Sequence, residues 1–238
     1  MKLFGFLAAF ATAREVEFDF NADSSDRTGT NNVNQNVMFY AQVAGLDFLQ
    51  FNEKQWQYGC WGQLNGAEAR AGHGEALDVI DQLFQDWAKC KECMDIDFED
   101  TCDIDNVAYE VGMDPSTGRI ECSGNVNCPK ARCECDEALA FGIIDNWDAY
   151  NLENELQNGF DFDTACQPHP KNPNNGGGAG GSCDNVGDNV RRCCGEYPQR
   201  FPYDDKAGCM QCCDAASKIY NVNRHGCCEG ILGTVGCM

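Results

Sequence analysis

The chain has 238 residues, a formal net charge of −21 and a sequence pI of about 4.3. This acidity excludes the strongly basic surface that binding to nucleic acid or to an anionic membrane requires. Eighteen residues are cysteine, a proportion typical of an extracellular protein held together by disulfide bonds. No internal run approaches the ~18 consecutive apolar residues of a membrane span.

The N-terminus has the pattern of a secretory signal peptide. Lys2 precedes an apolar run at residues 3–10, and residues 11–13 form a cleavage site before Arg14. An apolar N-terminal strand fits this length and these flanks less well. Residues 14–34 lose periodicity and are expected to form a loose leader arm. The sequence therefore predicts export from the cell.

Two long helices and a hairpin follow a shorter helix. Apolar residues at helical spacing predict a short amphipathic helix over residues 37–48 and a long one over residues 75–93, with Ile80, Phe84 and Trp87 on one face. Pro129 is expected to open a second long helix. Between the long helices, residues 114–118 have the composition of a hairpin turn.

The segment after the first long helix is acidic and is expected to form a loop over residues 95–105. It lacks the glycine and the terminal glutamate that an EF-hand loop has at fixed positions. We therefore predict no specific metal site and no cofactor, and allow only weak association of calcium with the acidic surface.

The C-terminal part of the chain has a different character. Proline, asparagine and glycine dominate residues 167–182, which is typical of a linker. Residues 183–238 contain three vicinal cysteine pairs, at 193–194, 212–213 and 227–228. Few aliphatic residues separate them, so disulfides must hold this module together. Neighbouring cysteines rarely bond each other, because the adjacent backbone strains such a bridge.

Three motifs in the middle of the chain point to a known family. They are Tyr58-Gly59-Cys60, then Asp78-x-x-Asp81 leading to Cys90, and Cys122 and Cys128 before Cys133-Glu134-Cys135-Asp136. With them, residues 35–166 resemble a secreted phospholipase A2 domain. The resemblance implies a mainly α, disulfide-rich fold: two long antiparallel cross-linked helices, a short N-terminal helix and a small β-hairpin. A small irregular or β module would follow at residues 183–238.

The resemblance also implies a set of disulfide bonds: Cys60–Cys166, Cys90–Cys135, Cys102–Cys128 and Cys122–Cys133. Other disulfide bonds of the family are absent here, and in each case both of the cysteines that would form the bond are missing. Leu83 and Gly142 stand where one bridge would be, and Phe84 and the Trp61-Gly62 region stand where a second would be. Met113 marks a third, without a cysteine in the first helix to pair with.

At two positions that align with the family's catalytic residues, this chain has residues of a different type. In register, Trp87 replaces the histidine base and Ala88 replaces the aspartate that binds calcium. Indole does not accept a proton at neutral pH, and a methyl group does not ligate a hard cation. Asp136 matches the aspartate that orients the histidine, and Tyr109 matches one of its tyrosine partners. The resemblance thus implies a pseudoenzyme with a degenerate site.

Counting the cysteines predicts that each module forms a disulfide bond to a cysteine outside itself. Nine lie between residues 60 and 166, and nine lie between residues 183 and 237. The four implied bridges leave Cys93 unpaired within its own module, and a leftover thiol usually pairs in an oxidising compartment. Cys93 then bonds either a tail cysteine of the same chain, which we favour, or another chain.

The segment from Cys193 to Cys228 resembles the dicysteine modules of galaxin-like matrix proteins. Two functions are compatible with the whole sequence. The first is a non-catalytic structural or binding component of an extracellular matrix, whose partners are other matrix proteins or copies of itself. The alternative is a lipid-active protein, either a divergent hydrolase or a lipid binder that uses an apolar slot between the helices.

Overall fold

A computed structural model describes residue 36 and residues 57–63, 72–114, 117, 119–167, 189–206, 208–223, 225–228 and 231–234. The predicted signal peptide, leader arm and short helix at residues 37–48 lie outside these ranges, as does the linker beyond Gln167. We call residues 57–167 the helical region and residues 189–234 the tail module.

Helix α1 spans Val79–Phe98 and differs from its prediction at both ends. It begins later, because the Asp78 side chain caps it by accepting a hydrogen bond from the Asp81 backbone N–H at 2.9 Å. It continues through residues 94–98, although the sequence predicted a helix that ends at residue 93 and an acidic loop over residues 95–105. Met94 is fully buried and Phe98 packs against the core, so apolar contacts extend the helix past its acidic residues.

Helix α2 spans Asn127–Asp145 and begins two residues before Pro129. Proline fits this position because the first turn of a helix has no intrahelical partners for its N–H groups. The helices are antiparallel, since Leu83 lies against Gly142, Trp87 against Asp136, and Cys90 is bonded to Cys135.

Short elements complete the helical region. Strands β1 (Gln57–Tyr58) and β2 (Gly62–Gln63) pair, as do β3 (Gly112–Asp114) and β4 (Arg119–Glu121), the latter at the predicted hairpin. A one-turn helix, α3, spans Phe162–Ala165. Four short 3-10 turns also occur: Glu99–Thr101, Trp147–Ala149, Leu152–Asn154 and Leu156–Asn158.

The tail module consists of three antiparallel hairpins and one 3-10 turn at Asp214–Ala216. Strand β5 (Asn189–Cys194) pairs with β6 (Phe201–Lys206), β7 (Met210–Cys213) with β8 (Lys218–Asn221), and β9 (His225–Cys228) with β10 (Ile231–Thr234). The sequence predicted an irregular or β module here. Together with the strands of the helical region, these hairpins make "mainly α" too narrow a description of the described residues.

The described residues are rich in disulfides. Four bridges are the pairs that the resemblance implies: Cys60–Cys166, Cys90–Cys135, Cys102–Cys128 and Cys122–Cys133. Three more bridges are Cys93–Cys193, Cys194–Cys212 and Cys213–Cys227. Within the part of the chain that the structure describes, no cysteine is free and no helix is long and apolar enough to cross a membrane.

Candidate functional site

The candidate site lies where α1 and α2 face each other. Trp87 on α1 is 6% exposed, and its indole Nε1 donates a hydrogen bond to Asp136 Oδ1 on α2 at 2.7 Å. The bridge between Cys90 and Cys135 lies beside this contact and fixes the spacing of the helices. The structure thus brings together the tryptophan and the aspartate that the sequence analysis singled out.

Further donors occupy the carboxylate of Asp136, which is fully buried. Tyr109 Oη donates to Oδ2 at 2.9 Å, and Arg132 Nε lies 2.9 Å from each carboxylate oxygen. Burial raises the pKa of Asp136, and the charge of Arg132 together with the three hydrogen-bond donors opposes that rise. A carboxylate in this arrangement is a structural acceptor, with both oxygens already bonded to protein groups.

Arg132 is a site residue that sequence reasoning missed. Its side chain is 2% exposed and forms a buried ion pair with Asp136 one turn later on α2. Its guanidinium also donates to the backbone carbonyl of Ile104. The spacing of four residues between an arginine and an aspartate predicted to face inward was the available signal.

Tyr109 and Lys91 complete the surroundings of Trp87. Burial, with the nearby charge of Asp136, raises the pKa of Tyr109 well above its ordinary value, and Asn36 Nδ2 donates to its hydroxyl at 3.0 Å. Lys91 Nζ lies 3.7 Å from the centroid of the Trp87 ring. Burial, followed by repulsion from Arg132, lowers the pKa of Lys91 to about 8.

Ala88, in register with the family's calcium aspartate, is half-buried on α1. The loop that would face it is described only as far as Gln63. Asp81 holds this part of the loop, because its carboxylate accepts hydrogen bonds from the backbone N–H groups of Cys60 at 3.0 Å and Trp61 at 2.8 Å. Asp81 is therefore committed to the loop backbone, and burial raises the pKa of its carboxyl group.

Two positions where family bridges are absent have complementary packing. A Cβ atom built on Gly142 would lie 2.6 Å from Leu83 Cδ2, so the leucine fills the space over the glycine. A Cβ atom built on Gly62 would lie 2.9 Å from Phe84 Cδ2. In each pair one large side chain occupies the volume that two cysteines would share. The side chain of Met113 lies outside what the structure describes.

The tail module is attached to α1 by one covalent bond and several polar contacts. Cys93 is bonded to Cys193, the intrachain outcome favoured by the cysteine count. Arg200 Nε lies 2.6 Å from Asp97 Oδ2, and Tyr197 Oη donates to the same oxygen at 2.9 Å. Asp97 belongs to the acidic segment for which the sequence analysis allowed weak association of calcium, and in the structure its carboxylate binds the tail module instead.

A second ion pair supports the attachment, since Arg191 Nη2 lies 2.8 Å from Glu92 Oε1. Among the described residues, one further group resembles a metal site: Cys194, Cys212 and Asp214. The two cysteines form a disulfide with each other, so their sulfur atoms are not available as thiolate ligands.

The fold and site define a disulfide-rich protein with a cross-linked pair of antiparallel helices. No family model matches the chain. Over 97 residues, 40% of its length, it is 32% identical to the acidic phospholipases A2 Ts-A4 of Trimeresurus stejnegeri and H1E6 of Calloselasma rhodostoma, and to Group IID secretory phospholipase A2 of Mus musculus. The chain spans 58–60% of the length of these relatives. It is thus distantly similar to phospholipase A2.

Proposed function

We propose that the chain is a secreted, non-catalytic phospholipase A2-like protein that serves as a structural or binding component of an extracellular matrix. Its partners would be other matrix proteins or further copies of itself. Location outside the cell is supported by the N-terminal pattern, by the disulfide content and by the similarity to a secretory phospholipase A2.

The hydrogen bond from Trp87 Nε1 to Asp136 Oδ1 carries the proposal. Ester hydrolysis by a calcium-dependent mechanism needs a base that takes a proton from water and a metal ion that polarises the carbonyl. The indole of Trp87 is a donor only, and Ala88 offers no ligand atom. The carboxylate that would orient a histidine is instead bonded to Trp87, Tyr109 and Arg132.

The matrix role is supported by the tail module. Its resemblance to dicysteine matrix modules and its covalent attachment at Cys93 both suit a protein that transmits or resists load rather than one that releases a product. An acidic chain of net charge −21 is also suited to basic partners outside the cell.

The catalytic part of the proposal is tested by assaying the full chain on phospholipid vesicles and mixed micelles with and without calcium. We expect no calcium-stimulated release of fatty acid, while an active secreted phospholipase A2 serves as the positive control. The double variant Trp87→His with Ala88→Asp should also be inactive, because residues 61–66, which match the family's calcium loop, lack its second cysteine and its regular glycine pattern. Calcium-stimulated turnover that disappears in a folded Asp136→Asn variant would overturn the proposal.

The matrix part is tested by expressing the full chain in cultured secretory cells. We expect it in the insoluble extracellular fraction, bound to matrix proteins or to itself. Recovery of a freely soluble monomer that binds no matrix component would contradict this role. Sedimentation with phospholipid vesicles would instead favour the lipid-active alternative.

A further inference from the structure

Four exposed aliphatic side chains lie where the start of α1 meets the turns that follow α2. Asn154 Nδ2 in these turns donates a hydrogen bond at 2.8 Å to Oδ2 of Asp78, the residue that caps α1. Exposed aliphatic residues flank both partners of this bond, and we call them the aliphatic patch: Leu77, Val79, Leu152 and Leu156. The other large aliphatic residues that are exposed in the described part of the chain lie singly at the start of α2, on β5 and on β10: Val126, Val190 and Ile231. Single exposed apolar residues are normal, whereas a concentration of them marks a binding surface.

Buried polar contacts fix the turns that carry the two leucines of the aliphatic patch. The hydroxyl of fully buried Tyr58 donates a hydrogen bond to Asp78 Oδ2 at 2.5 Å. The carboxylate of Glu155, which is 2% exposed, accepts hydrogen bonds from Tyr150 Oη at 2.7 Å and from Asn158 Nδ2 at 2.8 Å. The aliphatic patch is thus preformed, and a preformed surface loses little conformational entropy when a partner binds to it.

The two stretches that carry the aliphatic patch are acidic. Residues 72–88 and 138–167 together contain ten Asp or Glu residues and no Lys or Arg. Asp148 and Glu153 are exposed on the turns after α2, and no ion pair joins either carboxylate to a described residue. The cations of the helices lie in the second half of α1 and near the start of α2, at the opposite end of the antiparallel pair: Lys89, Lys91, Lys130 and Arg132. The aliphatic patch therefore lies in a negative field, which attracts cations and repels anions.

We propose that the aliphatic patch docks a basic segment of another extracellular protein, in which lysine or arginine residues flank apolar side chains. The apolar side chains of the segment pack on Leu152 and Leu156, and its cations lie near Asp148 and Glu153. The same charges disfavour an anionic membrane and a second copy of this chain, which also has a net charge of −21. The inference rests on the proposed binding role in a matrix and deepens it by naming the surface and the chemistry of the partner.

The test measures fluorescence anisotropy of three labelled peptides of equal length, titrated with the full oxidised chain. The first peptide combines lysines with leucines, the second replaces its leucines by serine, and the third replaces its lysines by glutamate. We expect saturable binding of the first peptide, several-fold weaker binding of the second and no binding of the third. Absence of saturable binding of the first peptide, or equal affinity for the first two, would overturn the proposal.

Matched variants distinguish binding at the aliphatic patch from general attraction to an acidic chain. Leu152→Ser with Leu156→Ser should weaken binding of the first peptide several-fold, because the apolar contact is lost. Val126→Ser with Ile231→Ser removes two aliphatic side chains that are more exposed but lie elsewhere, and should leave the affinity unchanged. If Leu156→Ser perturbs the turn, Leu152→Ser alone decides the question. Unchanged affinity in the folded leucine variant would overturn the proposal.

A matched pair of charge variants tests the acidic surroundings. Asp148→Asn with Glu153→Gln should weaken binding of the first peptide more than Glu110→Gln with Glu121→Gln, which removes the same charge from exposed positions near the hairpin of β3 and β4. Equal losses in the two double variants would overturn the proposal.

Matrix fractionation and vesicle binding of the same chains separate this inference from the matrix role and from other occupants. A wild-type chain that enters the insoluble matrix without binding the first peptide would leave the matrix role standing and reject this surface. Peptide binding at the patch by a chain that stays a soluble monomer would support this surface and reject the matrix role. Binding to phosphatidylcholine vesicles or self-association that needs Leu152 and Leu156, without peptide binding, would assign the surface to lipid or to a second copy and overturn the proposal.

Discussion

The helical region and the tail module are both bridged by disulfides, but they bury very different amounts of apolar surface. The helical region has a continuous core in which Tyr58, Ile80, Phe84, Met94 and Leu139 are at most 2% exposed. In the tail module the buried apolar residues that the structure describes are Tyr203 and three cysteines, Cys193, Cys194 and Cys213. Disulfide bonds therefore supplement an apolar core in the helical region and substitute for one in the tail module.

The largest expected effect comes from removing one bridge in each region. Replacing Cys194 and Cys212 by alanine should unfold the tail hairpins, because losing a native bridge costs about 2–5 kcal/mol and this module has little core to offset the loss. Replacing Cys122 and Cys133 should destabilise the helical region while leaving it folded. Limited proteolysis with mass spectrometry checks both, and resistance of the tail hairpins in the first variant would contradict the comparison.

A somewhat smaller effect is expected from Arg132→Met in the core of the helical region. This change leaves the buried charge of Asp136 without its counter-ion and should lower the free energy of unfolding by about 3–5 kcal/mol. Urea unfolding followed by circular dichroism measures the loss. The double variant with Asp136→Asn should recover most of it, and a loss below about 1 kcal/mol in the single variant would contradict a structural role for the pair.

The same variant should have a characteristic pH dependence. The pKa of Asp136 is already raised in the folded chain, and removal of Arg132 raises it further. A carboxyl whose folded pKa exceeds its unfolded value stabilises the protonated folded state, so stability is highest at low pH and falls as pH rises through the folded pKa. Unfolding of Arg132→Met between pH 4 and pH 7 should show this decline, and a flat profile would argue against an uncompensated charge.

A gain of intermediate size is expected from placing a bridge where Leu83 covers Gly142. The Cβ position of Gly142 lies 3.4 Å from Leu83 Cγ, which brings cysteines at the two positions within bonding reach. We expect the double variant Leu83→Cys with Gly142→Cys to oxidise spontaneously and to gain up to about 2 kcal/mol. Non-reducing peptide mapping checks the bond, with Leu83→Cys alone as control, and two free thiols would contradict the register of α1 against α2.

The last expected effect appears only in alkaline solution and concerns Lys91. Burial lowers its pKa to about 8, below the value of about 10.4 for an unfolded lysine. The unfolded chain therefore binds more protons between these values, so the stability of the chain should rise as pH increases from about 8 to about 10. Lys91→Met should remove this rise, as measured by thermal unfolding across that range. An identical pH profile in the variant would show that Lys91 has no such role.

Sequence reasoning reached the helix pair and the hairpin, because apolar periodicity and turn composition are local signals. The family resemblance singled out Trp87 and Asp136, but it did not predict the hydrogen bond between them. It missed the extension of α1 to Phe98, since Asp95 and Asp97 suggested a loop and only the tertiary packing of Met94 and Phe98 extends the helix. It also missed buried Arg132, because a charged residue enters a core only when its counter-ion is there.

The partner of Cys93 illustrates a different limit. The helical region contains an odd number of cysteines, so one of them must bond to a cysteine outside this region. Which tail cysteine meets it depends on the turn between β5 and β6 and on the ion pairs at Asp97 and Glu92, which are properties of the folded chain. The cysteine count predicts that Cys93 bonds outside its own module, and the folded chain selects Cys193 as its partner.

The bond between Cys93 and Cys193 has a mechanical consequence. If the tail module is anchored to a network and pulled, the shortest covalent route for tension runs from Cys193 directly into α1 and from there through Cys90–Cys135 into α2. The segment at residues 168–188 then lies outside this covalent route. Force would therefore arrive on the two helices that share Trp87 and Asp136, which a disulfide and a buried hydrogen bond hold together.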